Sequence, residues 1–214
     1  GQTFDWVDKV SMELTTQMLA RLFDFPWEDR RNLAIWSDVL GDIESFGDEE
    51  KRKHRLGVAY EMGAAFHALW ERKKTQPPGR DMTSAMLHSQ TMSNMEEGEF
   101  IGNMILLIVG GNDTTRHSMS AYAHTMNMFP DERAKVEADP AIIANAVQEI
   151  VRWQTPLAHM RRTATADADL FGNQIKAGDK LILWYISANR DETVFENPDK
   201  LILNRENARR NLSF

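Results

Sequence analysis

The 214 residues contain no cysteine. That absence excludes disulfides, a thiolate nucleophile and any cysteine-ligated metal within these residues, and it suits a reducing, cytoplasmic setting. Basic charge is short as well: 25 Lys and Arg stand against 32 Asp and Glu, a formal net charge of -7. A nucleic-acid partner would need a basic face to neutralise phosphates, so none is expected. Long hydrophobic runs are also missing. The longest, residues 100–111, is broken by Gly102 and Asn103 and falls well short of the ~20 residues of a membrane span. The chain opens on Gly1-Gln2-Thr3, with neither an initiator methionine nor a signal peptide, so a truncated start is expected. What remains, 42% hydrophobic and 27% charged residues, is the balance of a globular protein able to bury a sizeable core.

Helical periodicity fills the first two thirds. Residues 4–23 place Val7, Val10, Leu14, Met18 and Leu22 at spacings of three and four, which predicts an amphipathic helix with these residues buried. Asp24-Phe25-Pro26 breaks it. A second helix is predicted over 28–46 (Leu33, Trp36, Val39, Leu40, Ile43). A third carries Leu56, Tyr60, Gly63, Phe66 and Trp70, and a short one covers 81–87 after Pro77-Pro78-Gly79. The longest begins near Ser93, with Glu96 and Glu97 in its first turn, and stops at Phe129-Pro130. Two more span 131–138 and 142–153. After Pro156 the texture changes. Residues 162–166, 170–175 and 180–186, the last two separated by the turn Lys176-Ala177-Gly178-Asp179, read as strands of a small sheet. The tail from Asn189 reads as an irregular meander.

Three features carry chemistry. The long helix holds Gly110-Gly111-Asn112-Asp113-Thr114-Thr115 at its middle, where each glycine costs on the order of 1 kcal/mol relative to alanine. Such a pair lets something flat approach the backbone, while Thr114 and Thr115 can turn their hydroxyls onto the preceding turn and locally open the helix. Asp113 beside Thr114 pairs an acid with an alcohol, as a proton relay requires. The plain alternative is a helix crossing at the glycines with polar residues on a solvated face. Glu149 and Arg152, three apart, are neighbours on one helix face; alone they read as an exposed salt bridge worth a few tenths of a kcal/mol. Asp113, His117 and His124 could be drawn as a metal site, but helical histidines are more often packed or solvated.

The third feature is the order of the pieces: a glycine-split helix with acid and alcohol, the Glu149/Arg152 helix, an arginine-led strand pair, the turn Phe195-Glu196-Asn197-Pro198-Asp199, and Arg205. Together they resemble the cytochrome P-450 superfamily of haem-thiolate monooxygenases over essentially the whole chain. The resemblance implies a mainly α fold fragment with a small β-sheet and a meander near the C-terminus. It makes residues 1–214 a partial domain, with 1–92 the variable helices on the substrate-access side and 93–214 the haem-facing core. The implied cofactor is haem b. Its axial cysteine would lie beyond Phe214, so the segment as given would not hold haem functionally and would be inactive.

By the same resemblance, Gly110, Gly111 and Thr114 are haem contacts, and Arg162, with Arg161 as competitor, pairs with a propionate; Asn211 is left a weak hydrogen-bonding role. Asp113 and Thr114 are the implied catalytic pair. Glu149, Arg152 and Arg205 form a structural cluster that holds the meander. Substrate contacts fall on Ile105, Leu106 and Val109, and on Thr155, Leu157, Ala158 and Met160. The wording of residues 110–120 and of Ile35-Trp36-Ser37-Asp38 is similar to the soluble bacterial branch that hydroxylates medium-chain alkanes, or fatty acids, at the terminal carbon. That branch implies an apolar substrate, dioxygen, and electrons from a ferredoxin and its reductase, with Arg209 and Arg210 as contacts. No metal ligand is expected within the chain. The alternative reading is a non-catalytic helical binding module.

Overall fold

The computed structural model describes residues 1–42 and 47–213. The chain divides into two compact units, Gly1–His117 and Ser118–Phe214.

In the first unit a π-helical stretch, Val7–Met12, leads into α1 (Glu13–Phe23), followed by α2 (Arg30–Gly41), α3 (Glu49–Lys74), α4 (Met82–Leu87) and α5 (Glu97–Met128), which continues into the second unit. Local chemistry sets these limits. Asp24 takes the left-handed conformation (φ 55°) that ends α1. Asp48 caps α3 by accepting from the Lys51 amide, and Asp81 caps α4 by accepting from the Ser84 amide. Glu49 and Glu50 open α3 and Arg72, Lys73 and Lys74 close it, each charge matched to the helix dipole. The core is apolar and aromatic: Phe23, Leu33, Met62, Phe66, Met104 and Ile108 are buried, and Phe66 packs edge-on against Phe23 at 5.3 Å. Each such burial is worth about 1.5–3 kcal/mol.

Several expectations are corrected here. The predicted stripe of α1 has the right period and the wrong face: Val7, Leu14, Met18 (59%) and Leu22 are exposed, and Val10 is half-buried. The buried face carries Ser11, Thr15, Thr16, Leu19, Ala20 and Phe23. Small side chains allow the close approach. The Thr15 hydroxyl returns to the Ser11 carbonyl and also meets Asn112 Oδ1 of α5 at 2.7 Å, which satisfies a buried polar group locally. On α3, Leu56 and Tyr60 are exposed, whereas Gly63, Phe66 and Trp70 are buried. Part of the expected second helix, including Ile43, lies outside the described residues. The expected opening of α5 is not formed: the helix is continuous through 110–115. A carbonyl oxygen has two lone pairs, so a threonine hydroxyl can share it without displacing the backbone bond.

The second unit holds the end of α5, α6 (Pro130–Ala138) with Pro at its first position, and α7 (Ile143–Gln154). These are followed by β1 (His159–Thr163), β2 (Ala168–Leu170), β3 (Asn173–Ile175), β4 (Lys180–Trp184), α8 (Tyr185–Ala188) and a meander closed by a 3₁₀ turn at Ala208–Arg210. The expected sheet is two separate antiparallel pairs. β1 pairs with β4, Arg161 opposite Ile182 and Arg162 opposite Leu181, and β2 pairs with β3. Residues 170–175 are therefore a hairpin, not one strand. Phe171 (φ 50°) and Gly172 (φ 82°) both take left-handed dihedrals, as a two-residue hairpin loop demands. β4 likewise ends at Trp184, where the chain turns into α8.

Candidate functional site

In the first unit the adjacent glycines Gly110 and Gly111 of α5 do different work. A Cβ on Gly111 would come within 3.0 Å of Leu19 Cδ2; this glycine is where α1 crosses, and it lines an open groove of about 770 Å³ with Leu14, Met18 and Thr115. A Cβ on Gly110 would meet nothing within 4 Å. Leu106, one turn earlier on the same face, is 68% exposed. Thr114, one turn later, donates its hydroxyl to the Gly110 carbonyl at 2.8 Å. Leu106, Gly110 and Thr114 thus form a bare strip at i, i+4 spacing. The strip fits a flat macrocycle: its centre has no side chain and its Cβ position is open.

Asp113 flanks this strip and is half-buried. Arg116 Nη2 lies 2.6 Å from Asp113 Oδ1 and 2.7 Å from Asp38 Oδ1 of α2, so one guanidinium nitrogen bridges two carboxylates. A Cβ on Gly41, the last residue of α2, would sit 3.2 Å from Asp113 Oδ2. Burial pushes the Asp113 carboxyl above its ordinary value. Arg116 opposes that, Asp38 adds to it, and His117 opposes it. The C-terminal end of α2, the negative end of its dipole, also disfavours negative charge there.

Of the expected substrate contacts on α5, Leu106 projects outward, while Ile105 and Val109 pack against the apolar core. In the second unit Leu157 and Ala158 are half-buried and Met160 is exposed. Thr155 is buried at the left-handed cap of α7 (φ 46°), with its hydroxyl donating to the Arg152 carbonyl. Arg161 and Arg162 are both exposed on β1, and Arg162 donates to the Arg161 carbonyl. Asn211 bonds Gln148 Oε1 and the Ala208 carbonyl. Arg209 and Arg210 are exposed. Among the described residues no group of three His, Asp or Glu side chains could hold a metal ion, so Asp113, His117 and His124 are not gathered into one.

The Glu149/Arg152 pair is corrected from its isolated reading, since both side chains are 0% exposed. Arg152 donates to both Glu149 oxygens at 2.7 and 2.9 Å, and to the carbonyls of Asn189, Pro198 and Lys200. Arg205 reaches the same carboxylate at 3.0 and 3.1 Å and the carbonyls of Glu196, Asn197 and Lys200. Glu149 Oε1 also accepts from the Ile202 amide. The buried Phe195 ring lies 5.1 Å from the Arg152 guanidinium. Two planar five-donor forks therefore supply hydrogen bonds that a segment without a ladder cannot make for itself.

Sequence reasoning missed three residues. Arg116 is findable, lying three after Asp113 on one helix. Asp38 lies within the Ile35-Trp36-Ser37-Asp38 wording, but nothing local in the sequence announces its pairing with Arg116. Asn189, buried, ties Thr155 to the Leu212 backbone and the Ser213 hydroxyl, and nothing in its neighbourhood of the sequence announces it.

A helical fold with a long helix bared at its glycines, a buried Glu-Arg-Arg cluster and an irregular C-terminal meander is that of the cytochromes P450. The family model "Cytochrome P450" matches residues 141–206. The solved structure of cytochrome P450-153 from Novosphingobium aromaticivorans is 58% identical, with a TM-score of 0.92 over 100% of this chain and 52% of that one. The methyl-branched lipid omega-hydroxylase of Mycobacterium tuberculosis is 33% identical over 91% of this chain and 46% of its own length. The linalool 8-monooxygenase of Pseudomonas putida is 32% identical over 96% and 50%. This chain belongs to the cytochrome P450 family, and it spans about half the length of the curated relatives it matches. Among the described residues no helix is long and apolar enough to cross a membrane.

Proposed function

We propose that this chain is part of a cytoplasmic haem-dependent monooxygenase that hydroxylates an apolar substrate at its terminal carbon, a medium-chain alkane or fatty acid. The observation that carries the reading is the bare strip on α5, with its open Gly110 and the Thr114 hydroxyl beside it. The likeness to a structure of the P450-153 group and to a lipid omega-hydroxylase supports terminal attack. When bound, haem supplies the activation of dioxygen and the one-electron chemistry. Its thiolate ligand would come from outside these residues, which contain no cysteine.

The residues of the chain would bind and move protons. Gly110 admits the flat face, and Arg162, or its neighbour Arg161, would bond a carboxylate of the group. Gly111 would act indirectly, by seating α5 on α1. Ile105, Leu106 and Val109 of the first unit, and Leu157 and Met160 of the second, would each offer apolar surface to the substrate. Such a lining selects by area buried and orients polar groups weakly. The Thr114 hydroxyl, which donates to the Gly110 carbonyl, would have to turn from it to give a proton on the strip's open side, and Asp113, half-buried and able to take up a proton, would replenish it. Glu149, Arg152 and Arg205 would hold the meander. Electrons would come from a ferredoxin and its reductase, with Arg209 and Arg210 as basic contacts.

Thr114→Ala in the full-length holoenzyme tests this. Reductant consumption should continue while product per reductant falls severalfold and hydrogen peroxide appears. Unchanged coupling in that variant overturns the assignment of Thr114.

A further inference from the structure

The Asp113 carboxyl is not simply an acid beside an alcohol. It lies against the last residue of α2, and its cation is shared: the same Arg116 nitrogen serves Asp113 at 2.6 Å and Asp38 at 2.7 Å. The Arg116 side chain is 11% exposed, so this bridge is largely out of water and feels each charge strongly. The Asp38 carboxylate is about half exposed, and water can take over its half of the bridge. Among the described residues, the charged and titratable groups acting on Asp113 are Arg116 and His117 of its own helix and Asp38 of α2.

We propose that Arg116 is the positioning residue for Asp113, and that Asp38 tunes it from α2 by competing for the same guanidinium, fixing where the Asp113 carboxyl sits and how readily it accepts a proton. The proposal deepens the monooxygenase reading and rests on it for the use made of that proton. Its physical content is a pair of opposite effects. Removing Arg116 takes away the only arginine beside Asp113 named above and leaves two facing carboxylates, which favours the protonated acid. Removing the Asp38 charge takes one carboxylate from the guanidinium and one facing anion from Asp113, which favours the Asp113 carboxylate. Arg116→Lys, which keeps the charge but loses the planar fork, separates positioning from charge alone.

The test uses the full-length holoenzyme in its diamagnetic ferrous carbon-monoxide form, with ¹³C-labelled aspartate carboxyls. The Asp113 signal is assigned by its loss in Asp113→Asn. Arg116→Gln should raise the titration midpoint of Asp113 by about 1 pH unit or more and Asp38→Asn should lower it, with Arg116→Lys returning it part of the way. Shifts in the same direction, or none, overturn the proposal. Should Arg116→Gln fail to fold, Asp38→Asn alone decides: a lowered midpoint supports the proposal and an unchanged one ends it. The proton-relay reading fails separately, if Asp113→Asn keeps wild-type coupling.

Discussion

The two units are held together by different means. The first buries phenylalanine, leucine and tryptophan side chains contributed by four helices, and its most buried lysine, Lys73, pairs with Asp24 and Asp81 at helix ends. The second has a smaller apolar cluster around Ile150, Leu201 and Leu203, and its largest fully buried side chain is an arginine. The difference follows from what each must order. Helices satisfy their own backbone groups and need only a greasy face to pack, so non-directional burial suffices. A meander satisfies only some of its carbonyls through turns, and leaving the others buried and unpaired costs free energy comparable to a lost hydrogen bond each. Arg152 and Arg205, both anchored on Glu149, take up those carbonyls, so the second unit depends on geometry where the first depends on volume.

The sharpest way to break this comparison is a change of charge without a change of shape. Glu149→Gln in the full-length protein leaves two buried guanidiniums without their counter-ion, and should lose about 3–5 kcal/mol in denaturant unfolding. A loss under 1 kcal/mol would mean that the carbonyls alone hold the arginines. In the first unit a change of shape at nearly constant volume, Leu33→Met, should cost less than ~1.5 kcal/mol by the same measurement; a larger loss would show a core as exacting as the cluster. The smallest effect is at Glu13, where hydrogen bonds from Gln17, then Arg30, then Arg31 hold the carboxyl at about 2. Its folded value lies below the ordinary 4.5, so its stabilisation is present above that pH and is lost as pH falls from 4.5 towards 2. Glu13→Gln should cost about 1 kcal/mol at neutral pH, and the gap between variant and parent should close over that acid range. A gap independent of pH would remove Glu13 from the ionic account.

Much of the helical frame was legible. Caps at Asp48 and Asp81, the proline stop after α5 and the acid-then-base order along α3 are local, and local chemistry decides where a helix starts and ends. The face a helix buries was less so. On α1 the periodic apolar stripe is real but exposed, because α5 presents Gly111 and Asn112 to a surface of threonine and serine that packs closer than leucine would. The Phe171-Gly172 turn was available as a hairpin signal and was read as mid-strand. The spacing of Glu149 and Arg152 is the same whether the pair faces water or the interior, so its burial had to come from the meander wrapping it. At the candidate site, Asp113 and Thr114 were legible from their adjacency and from the resemblance of their motif, whereas Asp38 lies 75 positions before Asp113 in the sequence.

By itself the sequence determined which segments are helical, which residue types carry the chemistry and the family they spell in order, since all of these depend on neighbours along the chain. The tertiary structure alone decided that Gly110 opens outward while Gly111 seats a helix, that Arg116 is shared between two carboxylates, and that Glu149 is dry. Each of these is set by atoms brought close in space from distant positions, and burial, like Coulomb interaction, depends on distance and surroundings and not on sequence separation.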